Sequence, residues 1–291
     1  MVVMMGFGIA FSGGGTRGAA HIGVLLALKE AGLMPRSLAG TSSGAMVAGL
    51  YASGVGVMKL KEIVYHLEHN GKALIDPDFA GIIKGVLQLC IGKIPSITGF
   101  IKGDKLERFL SHYTQNKPVR DSALRVVLPA ADLISGRTVV YTNNVAGLPP
   151  IQDVLWRDDV TFAEAIRAST AVPVVFRPKD IDKMSLLDGG LTDNLPADLL
   201  MAAGEQNVLA VDISQSYLRV KSENVLEVAT HSLAIMNRRL KNCSTSGEQL
   251  LLKPKLPEQM GFLDFEYMTA CMQAGYEGTM HMMPVIRAIF T

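Results

Sequence analysis

The chain has 291 residues, 48% of them hydrophobic, which is enough to bury one substantial α/β core. With 28 lysines and arginines against 27 acidic residues the formal charge is +1, so no basic field points to nucleic acid. Cys90, Cys243 and Cys271 are far apart, odd in number and lack C-x-x-C spacing, which excludes a disulfide framework and a zinc site and fits a reducing compartment.

The opening MVVMMGFGIAFSGGG has no basic leader and reads as running straight into a strand rather than as a secretory signal. No charge-free apolar stretch reaches the length of a membrane span. These features predict a soluble, cytoplasmic protein. A mean hydropathy of +0.25 and 15 methionines leave room for a surface that touches lipid peripherally.

Residues 6–11 (GFGIAF) form a short apolar run suited to a buried strand, and 19–31 carry apolar residues at helical spacing up to Gly32. Residues 35–40 read as a second strand and 44–52 as a helix of small residues ending near Ser53-Gly54. In 76–103, Phe79, Ile82, Ile83, Val86, Leu87, Cys90 and Ile94 share one helical face opposite Lys84 and Gln88. That face either packs on the core or forms a flap over a lipid site, since a basic amphipathic segment can lie at an interface.

Residues 104–113 are predicted as helix, 124–132 and 138–142 as paired strands, and 161–169 as helix. Strands at 174–176, 186–187 and 208–211 follow, then helices near 223–240 and 264–280. With no repeat and no linker, the pattern predicts a single α/β domain over 1–291.

Between the first strand and helix, FSGGGTRG contains Gly13-x-Gly15-x-x-Gly18, the spacing of a dinucleotide loop. Such a loop needs an acidic residue about 20 positions on for the ribose, and none occurs from Ala31 through Lys61. No Gly-Lys-Ser/Thr closes the turn either. A glycine turn feeding a helix N-terminus still presents unpaired N–H groups and a positive dipole end, which can stabilise any anion, a transient one included. The plain alternative is a turn that only permits close helix–strand packing.

Gly40-Thr41-Ser42-Ser43-Gly44 has the form of a nucleophile elbow, with Ser42 raised on a sharp turn and the Ser43 N–H aimed at an oxyanion. An ordinary strand-to-helix turn would read the same. His21, His66, His69, His112, His231 and His281 have no supporting motif as its base. Asp188, closing an apolar strand before Gly189-Gly190, is the remaining candidate, or else a turn aspartate.

Read together, GGGTRG (13–18), GTSSG (40–44), AIRASTAVPVVFRP (165–178) and DGGLTDNLPADLL (188–200) resemble the patatin-like phospholipase family. The resemblance runs from about residue 6 to 213 and is weak beyond. It implies a three-layer α/β sandwich with a mostly parallel central sheet. Residues 76–103 do not map onto the family core, which favours the flap insertion over core packing, and about 214–291, outside the resemblance, reads as a helical part. It implies Ser42 as nucleophile and Asp188 as base, with Gly13, Gly14, Gly15, Arg17 and Ser43 around the oxyanion. Gly40 and Gly44 would support the elbow, Gly189, Gly190, Asn194 and Pro196 would shape the turn behind Asp188, and Pro173 would set a wall of the site.

The implied substrate is a glycerophospholipid, lysophospholipid or neutral acyl ester. No cofactor and no metal are implied, and membrane contact would be transient. A silent lipid-binding or regulatory adaptor of the same fold stays open, as does an acyltransferase; a nucleotide oxidoreductase has little left to support it.

Overall fold

The computed structural model describes residues 6–214, 225–243, 247–258 and 260–291. Residues 1–5, read above as lacking a leader, and the first two residues of the helix expected near 223–240 lie outside the described residues, as does the Cys243 side chain. In chain order the strands are β1 (Gly8–Phe11), β2 (Ser37–Gly40), β3 (Gly99–Ile101), β4 (Arg125–Asp132), β5 (Thr138–Thr142), β6 (Val154–Arg157), β7 (Val174–Phe176), β8 (Lys179–Ile181), β9 (Met184–Asp188), β10 (Val208–Val211) and β11 (Leu250–Leu252). The helices are α1 (Ala19–Glu30), α2 (Ser43–Ser53), α3 (Val57–Asn70), α4 (Phe79–Cys90), α5 (Asp104–Thr114), α6 (Phe162–Ser169), α7 (Ala197–Ala202), α8 (Val225–Cys243) and α9 (Met268–Phe290).

The main sheet runs β11-β10-β1-β2-β4-β5-β6, with β9 also on β4 and β8 on β9, while β3 and β7 pair separately. From β11 through β4 every pairing is parallel. Side chains alternate across it as the pleat requires: Ile9, Phe11, Leu38 and Leu128 join the large core under α1, α2 and α6, while Ala10, Ala39 and Ala210 face α7. Those three alanines are in register on neighbouring strands, a flat row against which the short α7 rests. The result is the three-layer, mostly parallel sandwich expected.

Strand β4 sets the layout of one end of this sheet. Its first residues pair parallel with β2, ending at Ala39 opposite Val127, and its last pair antiparallel with β9, where Ala130 faces Asp188. Pro129, which has no N–H to give, stands between the two pairings. One edge of one strand thus passes from β2 to β9.

The sequence pattern missed β11 and gave the last helix only to 280, whereas α9 continues to Phe290 and lies along α1, with Phe290 packed on Phe7 at 4.9 Å between ring centroids. The face shared by Phe79, Ile83, Val86 and Leu87 does not pack on the core. Along α4 only Gly85 is buried; Phe79, Ile83, Val86, Leu87 and Leu89 are more than half exposed, and Ile82 is half-buried. The segment is fastened at its base, where Asp78 pairs with Arg177 and Asp76 accepts the N–H groups of Gly103 (2.8 Å) and Lys105 (3.0 Å).

Arg167, in the last turn of α6, closes that base from beneath. Its buried guanidinium donates to the carbonyls of Gly103 (3.2 Å), Lys102 (2.7 Å) and Arg177 (2.9 Å) and lies over the Phe176 ring at 5.2 Å. Methionine could fill the volume but not the hydrogen bonds. Arg167→Met is expected to lower unfolding free energy by about 3 kcal/mol in urea titration, because carbonyls left without donors in a buried setting cost about 1–3 kcal/mol each.

Candidate active site

Between β2 and α2 the chain reverses within two residues, and Ser42 takes φ 55°, ψ −120°, a conformation that costs a non-glycine residue about 1–3 kcal/mol. The turn closes only because its flanks lack side chains: a Cβ on Gly40 would stand 2.2 Å from the Gly44 carbonyl oxygen, and one on Gly44 2.3 Å from that of Phe11. Three bonds pin it. The Ser42 N–H donates to Ser169 Oγ (3.1 Å), the Thr41 N–H to Phe11 (3.1 Å), and the Thr41 hydroxyl to the Asp193 carbonyl (2.8 Å).

Asp188 reaches the same place by the β4 register. Ser42 lies three residues beyond Ala39, and Ala130, opposite Asp188, lies three residues beyond Val127, so both side chains stand at one level past the last β2–β4 pair. The Asp188 N–H donates to the Ala171 carbonyl (2.9 Å). Residues 169–171 therefore hold both halves of the site, a role the sequence reading did not assign, although it had quoted the segment.

The Asp188 carboxylate is 6% exposed. Its Oδ1 accepts the Gly190 N–H (2.7 Å), while Oδ2 has no formed hydrogen bond among the described residues. Burial pushes the carboxyl up to about 6, and the facing Ser42 hydroxyl and the Gly190 N–H keep it from rising further. An oxygen without a settled donor thus faces a serine, near neutral pH and without an imidazole between them.

The glycine loop packs directly on the elbow: a Cβ on Gly13 would lie 3.1 Å from Ser42 Cβ, and one on Gly18 2.5 Å from Ser43 Cβ. The Gly13 N–H is already donated to the Asn194 carbonyl (3.1 Å), which ties the loop to the turn after Asp188. The N–H groups of Gly14, Gly15 and Ser43 make no hydrogen bond among the described residues. Arg17 is buried, and its Nε donates to the Gly14 carbonyl (2.9 Å). Because the C=O and N–H of a trans peptide point oppositely, this bond turns the Gly15 N–H away from the guanidinium. Arg17 acts here on the loop's backbone.

His21 is fully buried, donates from Nε2 to the Ser12 carbonyl (2.8 Å) and packs on Phe11 with centroids 4.6 Å apart. Burial lowers it to about 4, so it is a neutral brace beneath the loop. Among the described residues, no group of three or more His, Cys, Asp and Glu side chains gathers as metal ligands do.

Ser42, Ser43 and Gly15 open onto a cavity of about 130 Å³ that continues between α2, α3 and α5. Its walls are almost wholly apolar, with Leu60, Ile63, Leu67, Phe109, Phe262 and Met268 among them. Pro173 is not part of this lining, contrary to expectation; Thr170 and Phe176 form the wall on that side. The residues after 260, which carry little motif signal, are structural parts of the site, since Phe262 also accepts the Thr16 N–H (3.1 Å) through its carbonyl.

A family model for patatin-like phospholipases matches residues 9–201. Among curated proteins, the chain is 29% identical over 216 residues to YqhO of Bacillus subtilis (strain 168), covering 70% of each. It is 27% identical over 206 residues to the lysophospholipase NTE1 of Yarrowia lipolytica (strain CLIB 122 / E 150), covering 71% of this chain and 12% of that much longer one. Among solved structures, VipD from Legionella pneumophila shares the fold with a TM-score of 0.52 at 13% identity, over 97% of this chain and 67% of that one.

The two shifted groups act oppositely on stability. Asp188 titrates higher folded (about 6, from 3.8), so its contribution is whole below the lower value and is lost as pH rises through about 6. His21 titrates lower folded (about 4, from 6.5), so its contribution is whole above 6.5 and is lost as pH falls through about 4. Asp188→Asn keeps the Gly190 bond and removes the buried charge. It is expected to raise unfolding free energy by about 2–3 kcal/mol at pH 8 and by little at pH 4, read by urea titration at both.

Proposed function

We propose that this chain, which belongs to the patatin-like phospholipase family, hydrolyses the carboxylic ester of a lipid acyl chain with Ser42 as nucleophile and Asp188 as base. The observation that carries this reading is the pairing of a strained serine with a buried, half-satisfied carboxylate at the mouth of an apolar cavity. Among the described residues no helix is long and apolar enough to cross a membrane.

In the first step Ser42 Oγ attacks the ester carbonyl while its proton passes to Asp188 Oδ2. The new oxyanion takes the N–H groups of Gly14, Gly15 and Ser43, at the amino ends of two helical turns where the backbone dipoles favour negative charge. One such donor is worth about 3 kcal/mol in the transition state. The acyl chain lies along the cavity, each buried methylene contributing about 0.8 kcal/mol. Asp188 returns the proton to the departing alkoxide, leaving an acyl-Ser42. Asp188 then draws a proton from water as the water attacks the acyl carbon, and hands that proton to Ser42 Oγ as the Ser42–acyl bond breaks, which releases the fatty acid and restores the serine hydroxyl and the carboxylate.

A carboxylate with an ordinary pKa would be a poor base for a serine hydroxyl, and burial narrows that gap by pushing Asp188 up to about 6. Its cost is acid sensitivity. Hydrolysis of a medium-chain nitrophenyl ester is expected to rise with pH through a midpoint near 6, the value at which Asp188 becomes ionised.

The assay that tests the reading compares phospholipid, lysophospholipid and triglyceride substrates with wild type, Ser42→Ala and Asp188→Asn. Each substitution is expected to lower kcat by about 10³-fold or more, and a fluorophosphonate should label wild type at Ser42 only. Full turnover in either variant rejects the dyad, and vesicle binding without labelling or turnover would favour the silent adaptor. Products acylated on an added alcohol, in place of free fatty acid, would favour the acyltransferase.

A further inference from the structure

Two helices near the cavity mouth carry their apolar stripes toward solvent. On α4 and the residues after it, Phe79, Ile83, Val86, Leu87, Leu89, Ile91 and Ile94 are all more than half exposed. On α8, Val225, Val228, Ile235 and Met236 are exposed in one stripe with Ser232 and Arg239 at spacings of three and four, while Ala229, Leu233 and Asn237 turn inward. A helix serving only the core does the reverse, turning its apolar face in.

Among the described residues neither helix lines the cavity, but each adjoins elements that do or that hold the site. Helix α4 rises between Leu74 and Ile75, which line the cavity, and β3, which pairs with β7 beside Phe176, another lining residue. Helix α8 packs on β7 and on the turn Gly189–Leu191, where Asn237 stands 3.2 Å from the point a Gly190 Cβ would occupy. The pair β3–β7 is thus flanked by two exposed apolar stripes.

Charge and composition select the occupant. From Phe79 to Gly103 there is no acidic residue, and Lys84, Lys93 and Lys102 punctuate the segment, the first two exposed. It also contains no Trp, Tyr or Arg, the residues that anchor protein–protein contacts, but is rich in plain aliphatic side chains. Aliphatic side chains among lysines fit acyl chains beneath anionic headgroups. We propose that α4 and α8 together form a docking face for an anionic lipid bilayer, which seats the cavity mouth at the level of the acyl chains. The proposal rests on the reading that Ser42 cleaves a lipid ester.

The test uses the full chain carrying Ser42→Ala, so that lipid stays intact, sedimented with vesicles of phosphatidylcholine alone or of equal parts phosphatidylcholine and phosphatidylglycerol. Binding is expected to the anionic vesicles and to weaken as salt is raised. Ile83→Ser with Leu87→Ser on α4, and Val228→Ser with Ile235→Ser on α8, should each lower that binding about tenfold or more. In the chain with Ser42 intact, the same surface substitutions should leave hydrolysis of a soluble short-chain ester unchanged and lower hydrolysis of bilayer lipid by a similar factor.

No binding by the parent, or equal binding by the variants, overturns the docking face. So does a dimer of the parent that the variants abolish, since the stripes would then cover a second copy. Loss of soluble-ester hydrolysis in the wild type would instead sink the Ser42 reading, while vesicle binding is read independently on the Ser42→Ala chain.

Discussion

The site exists because one strand serves two neighbours along a single edge. β4 is parallel to β2 for its first residues and antiparallel to β9 for its last, with Pro129 at the point of exchange. A purely parallel sheet would continue β2's neighbour upward and leave no strand end beside the elbow. The exchange delivers Asp188 to the carboxyl end of β2, where the open edge above the sheet is also the place at which α/β folds present loops and helix termini. The elbow, the glycine loop and the cavity are arranged around that meeting point.

Burial then decides the chemistry. The carboxylate that faces Ser42 is held in a setting that disfavours its charge, and the neutral histidine under the glycine loop is held in one that disfavours protonation. Between about pH 4 and 6 their titrations pull folding stability in opposite directions, so each offsets much of the other's pH dependence. Reactivity has no such compensation, since only Asp188 faces the serine. Activity and stability are therefore expected to part company on the acid side.

What could be read from the sequence was what a backbone constraint forces on residue type. Gly40 and Gly44 are required by contacts of about 2 Å that no side chain could survive, and buried parallel strands show as continuous apolar runs, so elbow and sheet were visible. The orientation of α4 was not, because helical periodicity reports that a stripe exists and not which way it faces. Arg17 was placed at the oxyanion by likeness, whereas its Nε is spent on a carbonyl of its own loop. Ser169 and Phe262 act through a hydroxyl and a carbonyl fixed by tertiary packing, and nothing in their local sequence marks such a partner. Pro173 had a signal, but the cavity wall is made by Thr170 and Phe176, three positions away on either side.

The short segment after α6 gives the site a mechanical property. Ser169 holds the Ser42 N–H and Ala171 holds the Asp188 N–H, two positions apart in the chain. Two residues before Ser169, Arg167 grips the base of the α4 segment. A load applied to that outlying helix, by a surface it meets or by thermal motion, reaches serine and aspartate through a common anchor. The two groups that exchange the proton therefore share one mechanical reference point, and their separation is set by a three-residue span.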